Sequence, residues 1–209
     1  MVEILEDWEE MKPLGLITCS SYDCENDLHC FRSKKPKYQS YRNGRCVACD
    51  VELIDWDRID KRNLKDIDYT VNSLKYELIR HHYWDKKIDA KAENHARKKD
   101  LSIIRADTLK RLKKVLGPPS SQIYHDGTQT PRSGNIIYYA QHATASCCRK
   151  CAEEWHGIDK EHSLSDDEIE YLAELIMHYI SQKPPFISDE KDIPGHENII
   201  TSESRENVK

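Results

Sequence analysis

Eight cysteines in a chain of 209 residues fall into two tight groups, and the fold has to bring each group to order. Cys147, Cys148 and Cys151 lie together in the stretch Gln141 to Ile158, with His142 before them and His156 after. Cys19, Cys24, Cys30, Cys46 and Cys49 fall between Thr18 and Trp56, in otherwise very polar sequence. In a reducing compartment such spacings read as metal ligands before disulfides. Composition favours the same reading. Charged residues are 33% of the chain and only 2 Phe are present, so the core is small. A structural metal would supply stability that apolar burial does not.

In the later group, Asn135-Ile136-Ile137-Tyr138-Tyr139-Ala140 reads as a short buried strand, rich in aromatic and β-branched residues. The residues after Ser146 read as a helix that Gly157 can stop. The cysteines then sit at a strand-to-helix junction, where helix N–H groups favour thiolates and Cys148-x-x-Cys151 can place two sulfurs on one metal. His142 would arrive from the strand end. His156 would complete the set if the helix ends near Trp155. Cys147 points elsewhere if the helix begins there, unless the loop bends back; it is then a small buried residue or, paired with His142, a nucleophile.

This region carries a resemblance. Asp126-Gly127-x-Gln129-Thr130-Pro131, Gly134, and then Ala140-Gln141-His142-Ala143-Thr144-Ala145-Ser146-Cys147-Cys148-Arg149-x-Cys151, with Trp155-His156-Gly157-Ile158 behind, resemble a bacterial family designated domain of unknown function 4186. The family usually has Thr where Ser146 stands and Pro near Asp159. The resemblance covers Asp126 to about Ile180, roughly a quarter of the chain, and implies kinship without an activity.

In the earlier group, Gly44 can form the turn before Cys46-x-x-Cys49, a zinc knuckle, although knuckles commonly carry Gly where Asp50 stands. Two of Cys19, Cys24 and Cys30 would complete a tetrahedral set, with the odd cysteine spare or His29 replacing one. The loop between Cys30 and Cys46 interleaves Phe31, Arg32, Lys34, Lys35, Lys37, Tyr38, Tyr41, Arg42 and Arg45. Rings and cations so mixed suit stacking and phosphate contact on single-stranded RNA or DNA, and equally a solvated loop.

Ile67, Val71, Leu74 and Leu78 recur at helical spacing within Lys65 to Trp84. Ile88 to Arg97 reads as a second helix. Thr108 to Leu116 reads as a third, with Lys110, Arg111, Lys113 and Lys114 on its polar face and Asp107 as its cap. Between Arg80 and Lys114 about a dozen bases face about five acids, whereas beyond Ala152 acids dominate, within a net charge of −5. Ser165-Asp166-Asp167-Glu168 is a capping box opening a helix to about Ile180.

These signals divide the chain into an N-terminal lead (1–14), a Cys-rich zinc module (15–58), a basic helical region (59–117), a family-like domain (118–183) and a polar tail (184–209). The expected fold class is α+β: a zinc-ribbon-like module, a helical middle, and a short sheet packed on helices around a Cys/His cluster. No apolar run suits a membrane span, and the acidic lead lacks a signal peptide's basic start, so the cytoplasm is the default. The expected cofactor is zinc at the first group, with a second ion at His142, Cys148, Cys151 and His156. The expected function is a nucleic-acid-associated binding or accessory protein. One alternative is a nuclease-like metal-dependent hydrolase, with Glu153, Glu154 or His125 with Asp126 as base. The other is a protein-interaction adaptor. A deaminase is excluded because no Cys-x-x-Cys follows Cys151-Ala152-Glu153, and a phosphate loop because no Gly-Lys-Ser/Thr occurs.

Overall fold

A computed structural model describes residues 17–32 and 44–186. The N-terminal lead, the loop residues Lys34, Lys35, Lys37, Tyr38, Tyr41 and Arg42, and nearly all of the polar tail lie outside the described residues. Among those described are eight α-helices: α1 (Trp56–Asp60), α2 (Ile67–Leu74), α3 (Leu78–Asp85), α4 (Ala90–Arg97), α5 (Leu101–Val115), α6 (Ile136–Ala143), α7 (Arg149–His156) and α8 (Asp166–Ser181).

Short polar residues start most of them. The side chains of Asp55, Asp89, Asp100, Asn135 and Ser165 each accept a backbone N–H in the first turn of α1, α4, α5, α6 and α8. Ser165 and Glu168 form the full capping box. Helix α5 is capped by Asp100, so Asp107 is an interior residue, ion-paired with Lys99. Helices α3, α5, α6 and α8 pack together. Their main core includes Tyr83, Ile104, Leu112, Ile136, Tyr139, Leu172, Ile176 and Tyr179.

The expectation of an α+β fold is overturned: the described residues contain isolated bridges, at Asp23–Leu28, His29–Glu77 and Arg45–Glu52, but no strand or sheet. The run from Asn135 to Ala140 is the start of helix α6, not a strand. An unbroken apolar run suits a buried helix as well as a buried strand. Here Ile136, Ile137, Tyr139, Ala140 and Ala143 are all buried, and Asn135 caps the start. The helix expected over Lys65 to Trp84 is broken at Lys75–Glu77. There the backbone turns outward to bond the N-terminal segment: His29 N–H donates to the Tyr76 carbonyl at 2.7 Å, and Leu78 N–H to the His29 carbonyl at 3.0 Å.

A second apolar cluster joins the two cysteine groups. It contains Phe31, Cys46, Ile54, Ile59, Leu74, Cys147, Cys148, Cys151 and Trp155. Phe31 meets Trp155 and Trp56 edge-on, each at 6.0 Å between ring centroids. Rings packed this way carry the N-terminal segment onto α7.

Candidate metal centres

The first centre gathers Cys24, His29, Cys46 and Cys49, whose ligand atoms all lie within 4.8 Å of one another. Cys24 Sγ is 3.7 Å from Cys46 Sγ, and His29 Nδ1 is 3.4 Å from Cys49 Sγ. Around a tetrahedral zinc, bonds of about 2.0–2.3 Å put neighbouring ligand atoms about 3.5–3.8 Å apart, so the spacing suits such an ion. Local turns create it. Cys24 opens a short 3-10 turn that Asp27 ends in the left-handed region (φ 57°), which brings His29 back over Cys24. In the knuckle, Ala48 N–H points at Cys46 Sγ, 3.4 Å away, and Asp50 takes φ 63°. The left-handed position that usually calls for Gly is thus filled by Asp, one of the few residues with a side chain to tolerate it.

Protons on these four ligands are unevenly held. Burial opposes the Cys46 thiolate, but backbone groups of Cys30, Cys49 and Ala48 outweigh it and hold Cys46 down at about 6. Burial, with hydrogen bonds to Cys49 and Cys46, pushes Cys24 up to about 12. His29 Nε2 bonds Asp27 Oδ1 at 2.9 Å, which turns Nδ1 toward the thiols. A carboxylate behind a ligating imidazole fixes its tautomer and raises its basicity. Replacing Asp27 by Ala should therefore weaken metal retention by roughly 10–100-fold, read by competition with a chelator. Unchanged retention would show the contact to be incidental.

Of the other candidate ligands there, Cys30 is buried with Sγ toward the Cys19 carbonyl at 3.4 Å. Burial pushes its thiol up to about 11. Cys19 has gone to the other centre.

That second centre gathers Cys147, Cys148 and Cys151, again within 4.8 Å, so Cys147 faces its neighbours and not away. Helix α6 ends at Ala143, Ala145 turns at φ 53°, and Cys148 stands at the N-cap of α7. The family motif holds this turn. Thr130 Oγ1 donates to the Cys147 carbonyl at 2.8 Å, Gln141 Nε2 to the Ser146 carbonyl at 2.9 Å, and Arg149 N–H to Asp126 Oδ1 at 3.1 Å. Hydrogen bonds with Cys148 and Cys151 hold the Cys147 thiol well below its usual range, and hydrogen bonds with Cys147 and Cys151 keep the proton on Cys148. Cys19 hydrogen-bonds Cys151, which together with burial keeps its own thiol protonated.

Arg80, unremarked in the sequence, is the group that makes this arrangement tenable. It is 1% exposed. Its guanidinium donates to Cys151 Sγ at 3.2 Å, to the His142 carbonyl at 2.7 Å and to Glu77 Oε2 at 2.9 Å, with Cys147 Sγ 4.0 Å away. Glu77 also accepts from Trp155 Nε1 at 2.7 Å. Burial opposes the guanidinium's charge, but Cys151, Glu77 and Cys147 keep it protonated.

The two histidines proposed as ligands stand apart from the triad. His142 lies on α6 and stacks on Tyr83 at 4.6 Å, with Nε2 near the Thr130 and Pro131 carbonyls, both at 3.2 Å. Burial, then Arg80, hold it down at about 4. His156 is inside the core between the Tyr171 hydroxyl and the Thr144 carbonyl, because α7 runs one residue past Trp155. Three of the four suggested bases are engaged as well: Glu153 with Lys160, Glu154 with Arg32, and Asp126 with the start of α7. On α5, Arg111 binds Gln141 Oε1 and the Gln129 carbonyl, and lies over Tyr138, whereas Lys110 and Lys114 are exposed. No described helix is long and apolar enough to cross a membrane. All eight cysteines are unpaired.

Residues 68–181 match the family described as Domain of unknown function (DUF4186). The matched region reaches back to α2 and so includes Glu77 and Arg80. No solved structure matches the chain.

Proposed function

We propose that this chain, which belongs to the DUF4186 family, is a metal-binding protein with two thiolate-rich centres of different kinds. The first is a structural zinc site of Cys24, His29, Cys46 and Cys49. It has four ligands and fastens the N-terminal segments to the helical domain. The observation that carries this is the convergence of the four ligand atoms within 4.8 Å, on a segment whose only described helix before Asp55 is one short turn. The second, Cys147, Cys148 and Cys151, takes a thiophilic metal at the family's own motif. Soft sulfur donors select such ions.

Three thiolates carry more negative charge than a divalent ion carries positive. Such a metal generates hydroxide poorly, so ligand binding suits the second centre better than hydrolysis. Elemental analysis with X-ray absorption should find two metals per chain, one in a three-sulfur, one-nitrogen shell. Cys148→Ser with Cys151→Ser should remove one of them. A single metal indifferent to that pair ends the second assignment, and none at all ends both.

A further inference from the structure

The second centre borders a cavity of about 420 Å³, whose wall includes Cys19, Arg32, Thr128, Arg132, His142 and Lys150. The triad supplies three mutually close sulfurs. Cys19 lines the same cavity but does not join that mutual set. Three protein ligands with access to a cavity are the arrangement of a metal that binds something further, as opposed to one that only fastens the fold.

Charge decides what the cavity suits. A divalent metal with three thiolates is one unit negative, and the Arg80 guanidinium beside Cys151 and Cys147 is matched by the Glu77 carboxylate it also binds, so that unit stands. Arg32 is already taken by Glu154. Arg132 and Lys150 remain. Both are exposed, and no described carboxylate stands in the wall with them. Among the described residues, Lys150 Nζ reaches only the Asp126 carbonyl, at 3.4 Å. The two cations of the wall, Arg132 and Lys150, outweigh the one negative unit of the centre, so the approach attracts anions and repels cations.

We propose that the metal of the second centre keeps one coordination position open to this cavity and binds there a small anionic molecule, whose carboxylate or phosphate Arg132 and Lys150 hold. The proposal rests on the reading of the triad as a metal centre. Arg132 and Lys150 are binding residues on this view, and His142, with Nε2 committed to backbone carbonyls, forms the wall.

Cobalt(II) in the full-length chain supplies the test. Mercaptoacetate and 2-mercaptoethanol both offer a thiol to an open position, but only the first carries a carboxylate. Titrated against the cobalt absorption bands, mercaptoacetate should bind about tenfold tighter or more, the scale of one charge-assisted contact. The two should become equal in Arg132→Ala/Lys150→Ala, whose changes are on the surface and leave the fold intact. Equal affinities in the unaltered chain would overturn the proposal. So would unchanged spectra with cobalt bound; a response appearing in Cys19→Ser would then identify Cys19 as a fourth ligand closing the centre. Cobalt content unaffected by Cys148→Ser/Cys151→Ser would instead remove the metal centre itself, and the proposal with it.

Discussion

Replacing Cys46 and Cys49 together by Ser is expected to release one metal and to unfold the N-terminal segments, while helices α2 to α8 remain. The segments 17–32 and 44–55 are held by turns and isolated bridges. Their buried apolar side chains are few: Cys30, Phe31, Cys46 and Ile54. So small a set does not offset the entropy of ordering the chain. Metal binding in small zinc modules is worth on the order of 10 kcal/mol, and in such modules it is folding free energy. Phe31 and Trp56 should then leave Trp155, so tryptophan emission should shift with metal loss. Hydrogen exchange would report the two segments separately from the helices. Full protection of residues 17–32 in the metal-free variant would refute the account.

The local signals in the sequence were the ones that could be read. Helix α8 follows from its capping box and from Ile169, Leu172, Ile176 and Ile180 at helical spacing. Helix α7 follows from its stop at Gly157, which takes φ 61°. The closeness of Cys46 and Cys49 was legible because both thiols and their turn lie within a few residues. The remaining partners were not, because their choice depends on where the chain turns. Asp27 in the left-handed region swings His29 toward Cys49, and the path from Thr18 to Cys30 delivers Cys19 to the other centre. The run before His142 failed for a different reason. Five apolar or aromatic residues in a row fit either a strand or a fully buried helix, and the neighbouring helices α3 and α8 decide between them. With α6 helical, His142 is carried past the triad onto Tyr83. Arg80 was illegible altogether. Its partners at His142 and Cys151 are 62 and 71 residues away, and no local pattern marks a charge that will be buried.

Arg80→Met is therefore expected to be among the most disruptive single changes in the chain. Methionine nearly fills the volume, so the loss is electrostatic and not a cavity. Glu77 would keep one buried donor, Trp155 Nε1, and lose its countercharge. The His142 carbonyl and the Cys151 sulfur would lose their donor as well. Removing one partner of a buried pair costs about 3–5 kcal/mol, because the charge left behind is uncompensated. Denaturant midpoints would show this, and a loss under about 1 kcal/mol would contradict it. Arg80→Met with Glu77→Gln should recover part of the loss, since the stranded charge is then gone. Arg80→Lys should not restore the wild type, because a point charge cannot serve Glu77, a carbonyl and a sulfur in one plane. Metal retention at the second centre separates two roles. If Arg80 only supports the fold, the double variant should hold that metal as the wild type does. If its bond to Cys151 also stabilises the thiolate, retention in the refolded double variant should stay roughly 10–100-fold weaker.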